Sequence, residues 1–293
     1  MEKSSTLTFQ FEDSKIDKLK EFYKENIVDS NNQYVLFLAK LNGVSITAYK
    51  TNKVVFQGKN ASEESLIWQE EQVKWVNSNE QIGSDEVGTG DYFGPISVCA
   101  AYVSSTDIKM LDMLGIGDSK KIDDDKIMKI APILLKKITY SQISVSPQKY
   151  NRLIAAGYNQ AKIKVLLHNQ VLFNLKKKIG KEKIFTVVDQ FLSGKKYFEY
   201  LGDSKDLVRD IHFETKAEDK FPGVATASII ARYSFLIKMK ALSNLVGKEI
   251  PKGAGRQVDT FAQKVLDKFG MEKLEKMVKI HFSNTRKLKV KES

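Results

Sequence analysis

The chain has 293 residues, a hydrophobic fraction of 42% and a net charge of +11. This length can bury a sizeable core and is enough for two domains, and the positive charge favours a polyanionic partner. The composition excludes an internal disulfide, because Cys99 is the one cysteine, and a membrane span, because no apolar stretch is long enough. The N-terminal sequence lacks the apolar segment of a signal peptide, so we expect a cytoplasmic protein.

Residues 1–76 are predicted to form a small α+β domain. Alternation of polar and apolar residues predicts its strands, and a 3.6-residue apolar period predicts its helices. Asn42-Gly43 is typical of a two-residue hairpin turn. Such a sheet can leave one face open for a ligand. In chain order, the predicted elements are a strand at 7–11, a helix at 14–25, strands at 34–41, 44–49 and 53–57, and a helix at 61–76.

The basic residues of this first domain are concentrated in its predicted sheet. Residues 1–80 hold 10 Lys/Arg and 12 Asp/Glu, but no acid occurs between residues 33 and 60. That segment carries four lysines, which either form a surface for a polyanion or are the solvated face of the sheet. These lysines are Lys40, Lys50, Lys53 and Lys59.

The pattern changes at Ile82, where strands begin to alternate with longer helices, as is typical of an α/β domain. The polar stretch 77–80 is the predicted linker, so we expect the second domain at 81–293, a segment with 37 Lys/Arg and 24 Asp/Glu. Continuous apolar runs predict buried strands at 96–103 and 184–189. Predicted helices lie at 123–138, 147–156, 158–179, 195–201, 223–242 and 257–279.

Two adjacent carboxylates, Asp85 and Glu86, are followed by a glycine-rich loop. Carboxylate oxygens are hard ligands that suit Mg²⁺ or Mn²⁺. Gly88 and Gly90 have no Cβ, so the backbone of the loop can turn sharply and approach a ligand closely. The pattern predicts metal-assisted chemistry on a phosphodiester, although an isolated acidic pair beside a turn is also typical of a helix cap.

Three more segments carry candidate site residues. Asp189 ends an apolar strand, and α/β sheets usually bind ligands at strand ends. The acids Glu214, Glu218 and Asp219 precede a helix rich in small residues. Lys120 stands in an Asp-Ser-Lys run and is suited to contact a phosphate as a point charge. Taken alone, each segment is equally typical of an ordinary turn.

The string Asp-Glu-Val-Gly-Thr-Gly-Asp-Tyr-Phe-Gly-Pro at 85–95 resembles the first active-site motif of the type 2 ribonucleases H, and within them of ribonuclease HIII. Thr89 stands where ribonuclease HII usually has Arg. Residues 39–58 resemble the repeat of the TATA-box-binding-protein fold, and ribonuclease HIII is known for such an N-terminal domain. Further segments of the chain resemble other motifs of the family and occur in the same order. They are the Asp-Ser-Lys run at 118–120, the strand ending at Asp189, the small-residue helix around Ser228 and the segment 281–286.

This resemblance implies an α/β fold, a ribonuclease H-like mixed sheet flanked by helices, behind an N-terminal α+β TATA-binding-protein-like domain. It implies an endonuclease that cleaves the RNA strand of RNA–DNA hybrids with two Mg²⁺ or Mn²⁺ ions and leaves 5′-phosphate and 3′-hydroxyl ends. We expect a monomer that needs neither a membrane nor a small-molecule cofactor. The alternatives are a ribonuclease HII-like enzyme that incises at single embedded ribonucleotides, and a non-catalytic hybrid-binding protein.

The resemblance also implies a role for each acid of the site. Asp85 would bridge the two metal ions, and Asp189 and Glu218 would be further ligands. Glu86 would hold the second ion or orient the attacking water. In the family, the acid that precedes the small-residue helix stands ten positions before the serine of that helix. Ser228 is this serine, so the spacing selects Glu218 over Asp219.

The remaining candidates concern the substrate. The backbone of Gly88, Thr89 and Gly90 would face the 2′-hydroxyl, the group that distinguishes RNA from DNA. Lys120 and the four lysines of the first domain would contact phosphates. No partner pattern marks His168, and the sequence assigns it no role.

Overall fold

The computed structural model describes residues 5–69, 75–116, 122–181, 183–203 and 206–290. Contacts divide the chain into two compact units, residues 1–72 and 73–293. The domain bounds of 1–76 and 81–293 stay a prediction. Lys120 and its Asp-Ser-Lys run lie outside the described residues. Among the helices that the structure describes, none combines the length and apolar character needed to span a bilayer.

The first unit is a five-stranded antiparallel sheet with the order β1-β5-β4-β3-β2 and two α-helices. The left-handed backbone of Asn42 (φ 44°) and Gly43 (φ 75°) forms the turn between β3 and β4, as the sequence predicts. The elements are β1 (Ser5–Gln10), α1 (Asp13–Phe22), β2 (Ile27–Val28), β3 (Val35–Leu41), β4 (Val44–Tyr49), β5 (Lys53–Gly58) and α2 (Ala61–Gln69).

The two faces of this sheet differ in character because successive side chains of a strand point to opposite sides. One face buries Ala39, Ile46 and Phe56 against Leu19 of α1 and Trp68 of α2. The opposite face, here called the polar face, is open to solvent and carries polar side chains together with apolar ones such as Leu38 and Val55. One polar row across the strands joins Lys40, Ser45, Gln57 and Thr6, which are consecutive partners in the register. The amphipathic pattern therefore gives an α+β unit with one polar sheet face.

The second unit is a mixed five-stranded sheet with the order β10-β9-β6-β7-β8 and helices on both faces. Strand β9 is parallel to β6 and β10, whereas β7 is antiparallel to β6 and β8. The elements are β6 (Gln81–Val87), β7 (Ile96–Val103), α3 (Ile108–Met113), α4 (Asp124–Lys137), β8 (Thr139–Val145), α5 (Pro147–Ala155), α6 (Gln160–Ile179), β9 (Phe185–Asp189), α7 (Gly194–Leu201), β10 (His212–Glu214), α8 (Pro222–Val246), α9 (Arg256–Glu275) and α10 (Ser283–Arg286).

Two long helices position the centre of this sheet. Helix α8 packs against β6 and β7 on one face through residues such as Ala227 and Ile230, and α6 packs on the other face through Val171 and Leu172. The first turn of α8 lies directly on β6 at Gly83, where an added Cβ would stand 2.0 Å from the backbone nitrogen of Val224. A side chain at this position would push the helix away, so the glycine lets the first turn of α8 pack directly on the first half of β6.

Candidate active site

The end of β6 carries Asp85 and Glu86 to the same edge of the sheet as Asp189. Strands β6 and β9 run parallel, and their register pairs Ser84 with Val188. The residues that follow this pair are Asp85 and Asp189, so two acids that are distant in sequence come together where the strands end. The charge of Asp189 contributes to raising the pKa of Asp85, which is consistent with their proximity.

A one-turn 3₁₀ helix, Ala217–Asp219, brings a fourth carboxylate, that of Glu218, to this edge. The Asp189 carboxylate accepts a hydrogen bond of 2.9 Å from the backbone N–H of Ala217, which fixes the turn against the strand end. The Oε2 atom of Glu218 is buried and has no hydrogen-bond partner among the described residues. Asp219 is exposed, and Glu214 pairs with Lys220 at 2.5 Å. Of the three acids in this segment, Glu218 is thus the one with an unsatisfied buried oxygen.

The electrostatics of these acids favour a bound cation. The pKa of Asp85 is raised to about 8, mainly by burial and also by the charge of Glu86. Hydrogen bonds from Ser228 and the Glu86 N–H act in the opposite direction and lower this pKa. The Glu86 N–H donates to Asp85 Oδ1 at 2.7 Å. Burial likewise raises the pKa of Glu218, and the charges of Asp189 and Asp219 add to this effect. Mutually repelling carboxylates of this kind are stabilised by a divalent ion between them.

The donor set fits Mg²⁺ or Mn²⁺, which prefer oxygen ligands. The unpartnered oxygen of Glu218 and the raised pKa values of Asp85 and Glu218 are what such a site shows before a cation neutralises it. Across the described residues, no three acids, histidines or cysteines are placed so that together they could hold a metal ion. Metal binding by these acids would therefore require their side chains to move.

Glu86 is turned toward helix α6 and is held by two of its side chains. His168 Nε2 lies 2.7 Å from Glu86 Oε2, and the Lys164 ammonium forms an ion pair with Oε1. The other ring nitrogen of His168 lies 2.8 Å from the Ser84 hydroxyl. Burial raises the pKa of Glu86, but the hydrogen bonds and charges of His168 and Lys164 outweigh that effect and hold the pKa below its ordinary value. Glu86 therefore stays ionised more easily than Asp85 and Glu218, whose pKa values are raised.

Neither His168 nor Lys164 was among the site residues predicted from the sequence. A signal was present, because Gln160, Lys164 and His168 are spaced by four residues and so lie on one face of a helix. This polar stripe on α6 runs along the loop and the end of β6.

The glycine-rich loop after β6 has a fixed backbone. Gly88 has a φ of 97°, and an added Cβ would lie 2.2 Å from the Pro95 carbonyl oxygen, so only glycine fits. An added Cβ at Gly90 would meet nothing within 4 Å, which leaves that side of the loop accessible. The carbonyl of Thr89 accepts a hydrogen bond of 2.7 Å from Gln160 Nε2.

A buried lysine fixes the far end of this loop. The Lys279 ammonium donates to the carbonyl oxygens of Asp91 at 2.6 Å and Gly94 at 2.8 Å. Burial lowers the pKa of Lys279 to about 7, against the opposing effect of the Asp91 charge. Gly253 adds two backbone contacts, because its N–H donates to the Asp91 carboxylate and its carbonyl accepts from the Tyr92 N–H. The loop is thus attached to the C-terminal part of the second unit.

A cleft of about 450 Å³ lies beside the carboxylates. Glu218 and Ser228 line it next to Arg232, whose guanidinium donates to Asp124 at 2.9 Å. Lys252 forms an ion pair with the same Asp124 carboxylate. The cleft is therefore lined by Glu218, by Asp123 and the Arg232–Asp124 ion pair, and by apolar side chains such as Ile127 and Ile229.

The four lysines of the first unit fall in two groups. Lys40 and Lys53 are exposed on the polar face of the sheet, opposite the helices. Lys50 and Lys59 stand in the turns that follow β4 and β5. Their contact with a substrate stays a prediction.

Two family models match the chain. Residues 82–285 match the model described as Ribonuclease HII, and residues 6–81 match a domain of unknown function, DUF3378. Among curated relatives, ribonuclease HIII of Bacillus mycoides is 41% identical over 304 residues, which cover 97% of each chain. Ribonuclease HIII of Bacillus thuringiensis subsp. konkukian is 40% identical and covers 97% of this chain and 98% of its own.

Solved structures give the same result. Bst-RNase HIII in complex with Mn²⁺ aligns with a TM-score of 0.69 at 39% identity, over 96% of this chain and 97% of that chain. The RNase H3 of Aquifex aeolicus aligns with a TM-score of 0.57 at 26% identity, over 94% of this chain and all, 100%, of that chain. Both alignments extend across the two units, so the predicted fold, a ribonuclease H-like mixed sheet behind a TATA-binding-protein-like domain, is confirmed.

Proposed function

Since this chain belongs to the ribonuclease HIII family, we propose that it cleaves the RNA strand of RNA–DNA hybrids by a two-metal-ion mechanism. Water attacks the phosphodiester, and the products carry 5′-phosphate and 3′-hydroxyl ends. The observation that carries the proposal is the cluster of Asp85, Asp189 and Glu218 at one sheet edge, with a buried oxygen of Glu218 left unpartnered among the described residues.

The acids would act together as ligands. Asp85, Asp189 and Glu218 would hold the divalent ions, Mg²⁺ or Mn²⁺, with Asp85 between them. When bound, such ions lower the pKa of water and neutralise the charge that develops on the phosphate. The chain's own contribution is to hold these carboxylates side by side at the ends of β6 and β9.

Glu86 has a separate place in the site. Its carboxylate is ionised and fixed by Lys164 and His168, so it is prepared either to hold the second ion or to orient the attacking water. Each carboxylate oxygen makes one contact with α6 and has a second lone pair, so these contacts orient Glu86 and still leave it able to ligate an ion.

Substrate selection involves both units. The backbone of Gly88, Thr89 and Gly90 would face the 2′-hydroxyl, and the open space beside Gly90 supports this assignment.

Lys40 and Lys53, with Lys50 and Lys59 in the adjoining turns, would contact phosphates of the duplex. Lys120 would meet a phosphate as a point charge. The first unit would therefore contribute affinity, and the second would contribute chemistry.

The experiment that tests this function uses two substrates, each with Mg²⁺ and with Mn²⁺. One is a long RNA–DNA hybrid, and the other is a DNA duplex with a single embedded ribonucleotide. We expect cleavage of the hybrid with 5′-phosphate ends, and no cleavage by the Asp189→Asn variant. Cleavage of the single-ribonucleotide duplex alone would assign the ribonuclease HII-like activity, and binding without cleavage of either would assign a hybrid-binding protein.

The proposal takes the chain as a cytoplasmic monomer without a small-molecule cofactor. Light scattering coupled to size-exclusion chromatography measures the oligomeric state, and dialysed protein assayed with metal salts alone tests the cofactor requirement. A stable dimer, or activity that is lost on dialysis and not restored by metal, would correct this part.

A further inference from the structure

Gln160 contacts the glycine-rich loop at its centre. It is the first residue of α6, behind the capping residue Asn159, whose side chain accepts from the Lys162 N–H. The Gln160 amide donates to the carbonyl oxygen of Thr89 at 2.7 Å. The side chain is half-buried, and the two residues are 71 positions apart in the sequence. The beginning of a long helix is thereby attached to the loop that follows the catalytic strand.

Fixing this carbonyl also fixes the next N–H. A peptide bond is planar and trans, so its C=O and N–H point in opposite directions. When the Thr89 oxygen points toward Gln160, the N–H of Gly90 points away from α6. Gly90 is exposed, and its Cα faces open space. The hydrogen bond therefore presents one backbone donor on the accessible side of the loop.

Among the described residues, the other contacts of the loop hold its two ends but not this peptide. Gly88 packs against the carbonyl of Pro95, and Lys279 holds the carbonyls of Asp91 and Gly94. Between these two anchors, the orientation of the Thr89–Gly90 peptide is set by Gln160. A glycine at one side of a peptide lowers the cost of rotating it, so without an anchor this peptide is free to turn.

The same face of α6 holds the neighbouring acid. Lys164 and His168, four and eight positions after Gln160, hold the Glu86 carboxylate. The distance between the loop and Glu86 is therefore set by one rigid helix.

We propose that Gln160 is a positioning residue for recognition of the substrate's 2′-hydroxyl, which it controls by directing the Gly90 N–H toward that group. The inference rests on the proposed function, since it assigns the 2′-hydroxyl as the ligand of the loop. Gln160 does not touch the substrate and acts through the peptide that it holds. Without the Gln160 amide, the Gly90 N–H is no longer directed at the 2′-hydroxyl. The hydrogen bond that is then lost is one that only a ribonucleotide can make.

The test compares two substrates at one phosphate. The first is a DNA duplex with a short stretch of ribonucleotides, and the second has one 2′-deoxynucleotide immediately 5′ to the mapped cleavage position. Single-turnover rates, and the separate kcat and KM values, are measured for wild type, Gln160→Met and Gln160→Lys. Met keeps the length and helix preference of Gln without a donor, whereas Lys keeps a donor. The matched control is Gln170→Met on the same helix, because Gln170 is exposed and donates to Asn174.

For Gln160→Met we expect the rate on the ribonucleotide substrate to fall roughly fivefold, the size of one neutral hydrogen bond, mainly in kcat. The rate on the deoxy-substituted substrate should stay at the wild-type value, so that discrimination shrinks by the same factor. Gln160→Lys should retain most of the discrimination, and Gln170→Met should match wild type on both substrates. Two enzymes and two substrates form a double-mutant cycle, which measures the coupling between the Gln160 side chain and the 2′-hydroxyl group.

Two results would overturn the inference. An equal loss on both substrates would mean that Gln160 only supports the fold, and an unchanged ribonucleotide rate would mean that the loop does not need it. If wild type cleaves neither substrate nor a full hybrid, the proposed function itself fails. The variants test only the role of Gln160.

Discussion

His168 holds Glu86 in place, with its Nε2 atom 2.7 Å from a carboxylate oxygen. The ring is fully buried, and its second nitrogen lies 2.8 Å from the hydroxyl of Ser84, two residues before Glu86 on the same strand. A single side chain of α6 therefore connects to β6 at two points. This arrangement orients the carboxylate, as hydrogen-bonded outer partners do around metal ligands.

Replacing His168 with Ala should impair both the site and the fold. We expect a loss of about 2 kcal/mol in the free energy of unfolding, because Glu86 and Ser84 lose a buried partner. We expect metal affinity and hybrid cleavage each to fall roughly 10–100-fold. Urea denaturation, calorimetric metal titration and cleavage assays measure the three quantities. The control is His212→Ala, since His212 is exposed, and equal effects in both variants would contradict the assignment.

The raised pKa of Asp85 makes the stability of the metal-free protein depend on pH. Its ordinary pKa is 3.8, and the folded value is about 8. Between these values the folded state binds a proton that the unfolded state lacks, so the free energy of unfolding falls as pH rises. The contribution is complete below pH 3.8 and is lost by about pH 8.

Asp85→Asn should remove this pH dependence. In EDTA we expect the variant to be more stable than wild type at pH 8 by at least about 1.4 kcal/mol, the value of one pKa unit, with a much smaller gap at pH 5. Added Mn²⁺ should stabilise wild type and leave the variant unaffected. Thermal and urea denaturation at each pH measure the gap, and exposed Asp203→Asn controls for the lost charge. A gap that is independent of pH would refute the buried, proton-binding role of Asp85.

The sequence predicted those elements whose local pattern is unambiguous. The continuous apolar run gave β7 at Ile96–Val103, and Asn42-Gly43 gave the hairpin turn. Strand β8, Thr139–Val145, was missed because it is half-buried and mixes Thr and Ser with apolar residues, so neither period dominates. The predicted helix at 257–279 ends earlier, at Glu275, and is kinked at Gly270, where φ is 76°.

The site was predictable to the extent that it depends on strand ends. Asp189 follows an apolar run, and Asp85 belongs to an acidic pair before a glycine-rich loop. The parallel register of β6 and β9 brings the two residues together where the strands end. The contacts from α6 were not predictable, because His168 and Glu86 are 82 residues apart and their meeting depends on how the helix packs on the sheet. The unpartnered oxygen of Glu218 is likewise a property of the packed turn, not of the string that contains it.

The polar sheet face of the first unit should carry part of the affinity for hybrids. We expect Lys40→Gln combined with Lys53→Gln to weaken binding and to reduce the slope of log affinity against log salt by roughly 1–2, because each phosphate contact contributes about 0.9 on a B-form duplex. Single-turnover cleavage at saturating enzyme should change little. The matched control is Lys18→Gln combined with Lys20→Gln on α1, on the helical side of the sheet. Equal slopes for the two double variants would exclude the face as a phosphate-binding surface.

Glu218 and its neighbour Asp219 offer the sharpest test of the metal site. Glu218 has a buried oxygen without a partner among the described residues and a raised pKa, whereas Asp219 is exposed. Glu218→Gln keeps the shape and the hydrogen-bonding capacity but removes the charge that a divalent ion requires. We therefore expect it to lose most cleavage in Mg²⁺, with partial recovery at high Mn²⁺, and to bind metal more weakly by calorimetry. Asp219→Asn should stay near wild type in both measurements. The reverse ranking would show that the acid of this turn had been assigned one residue out of register, and that the ligand set must be rebuilt around Asp219.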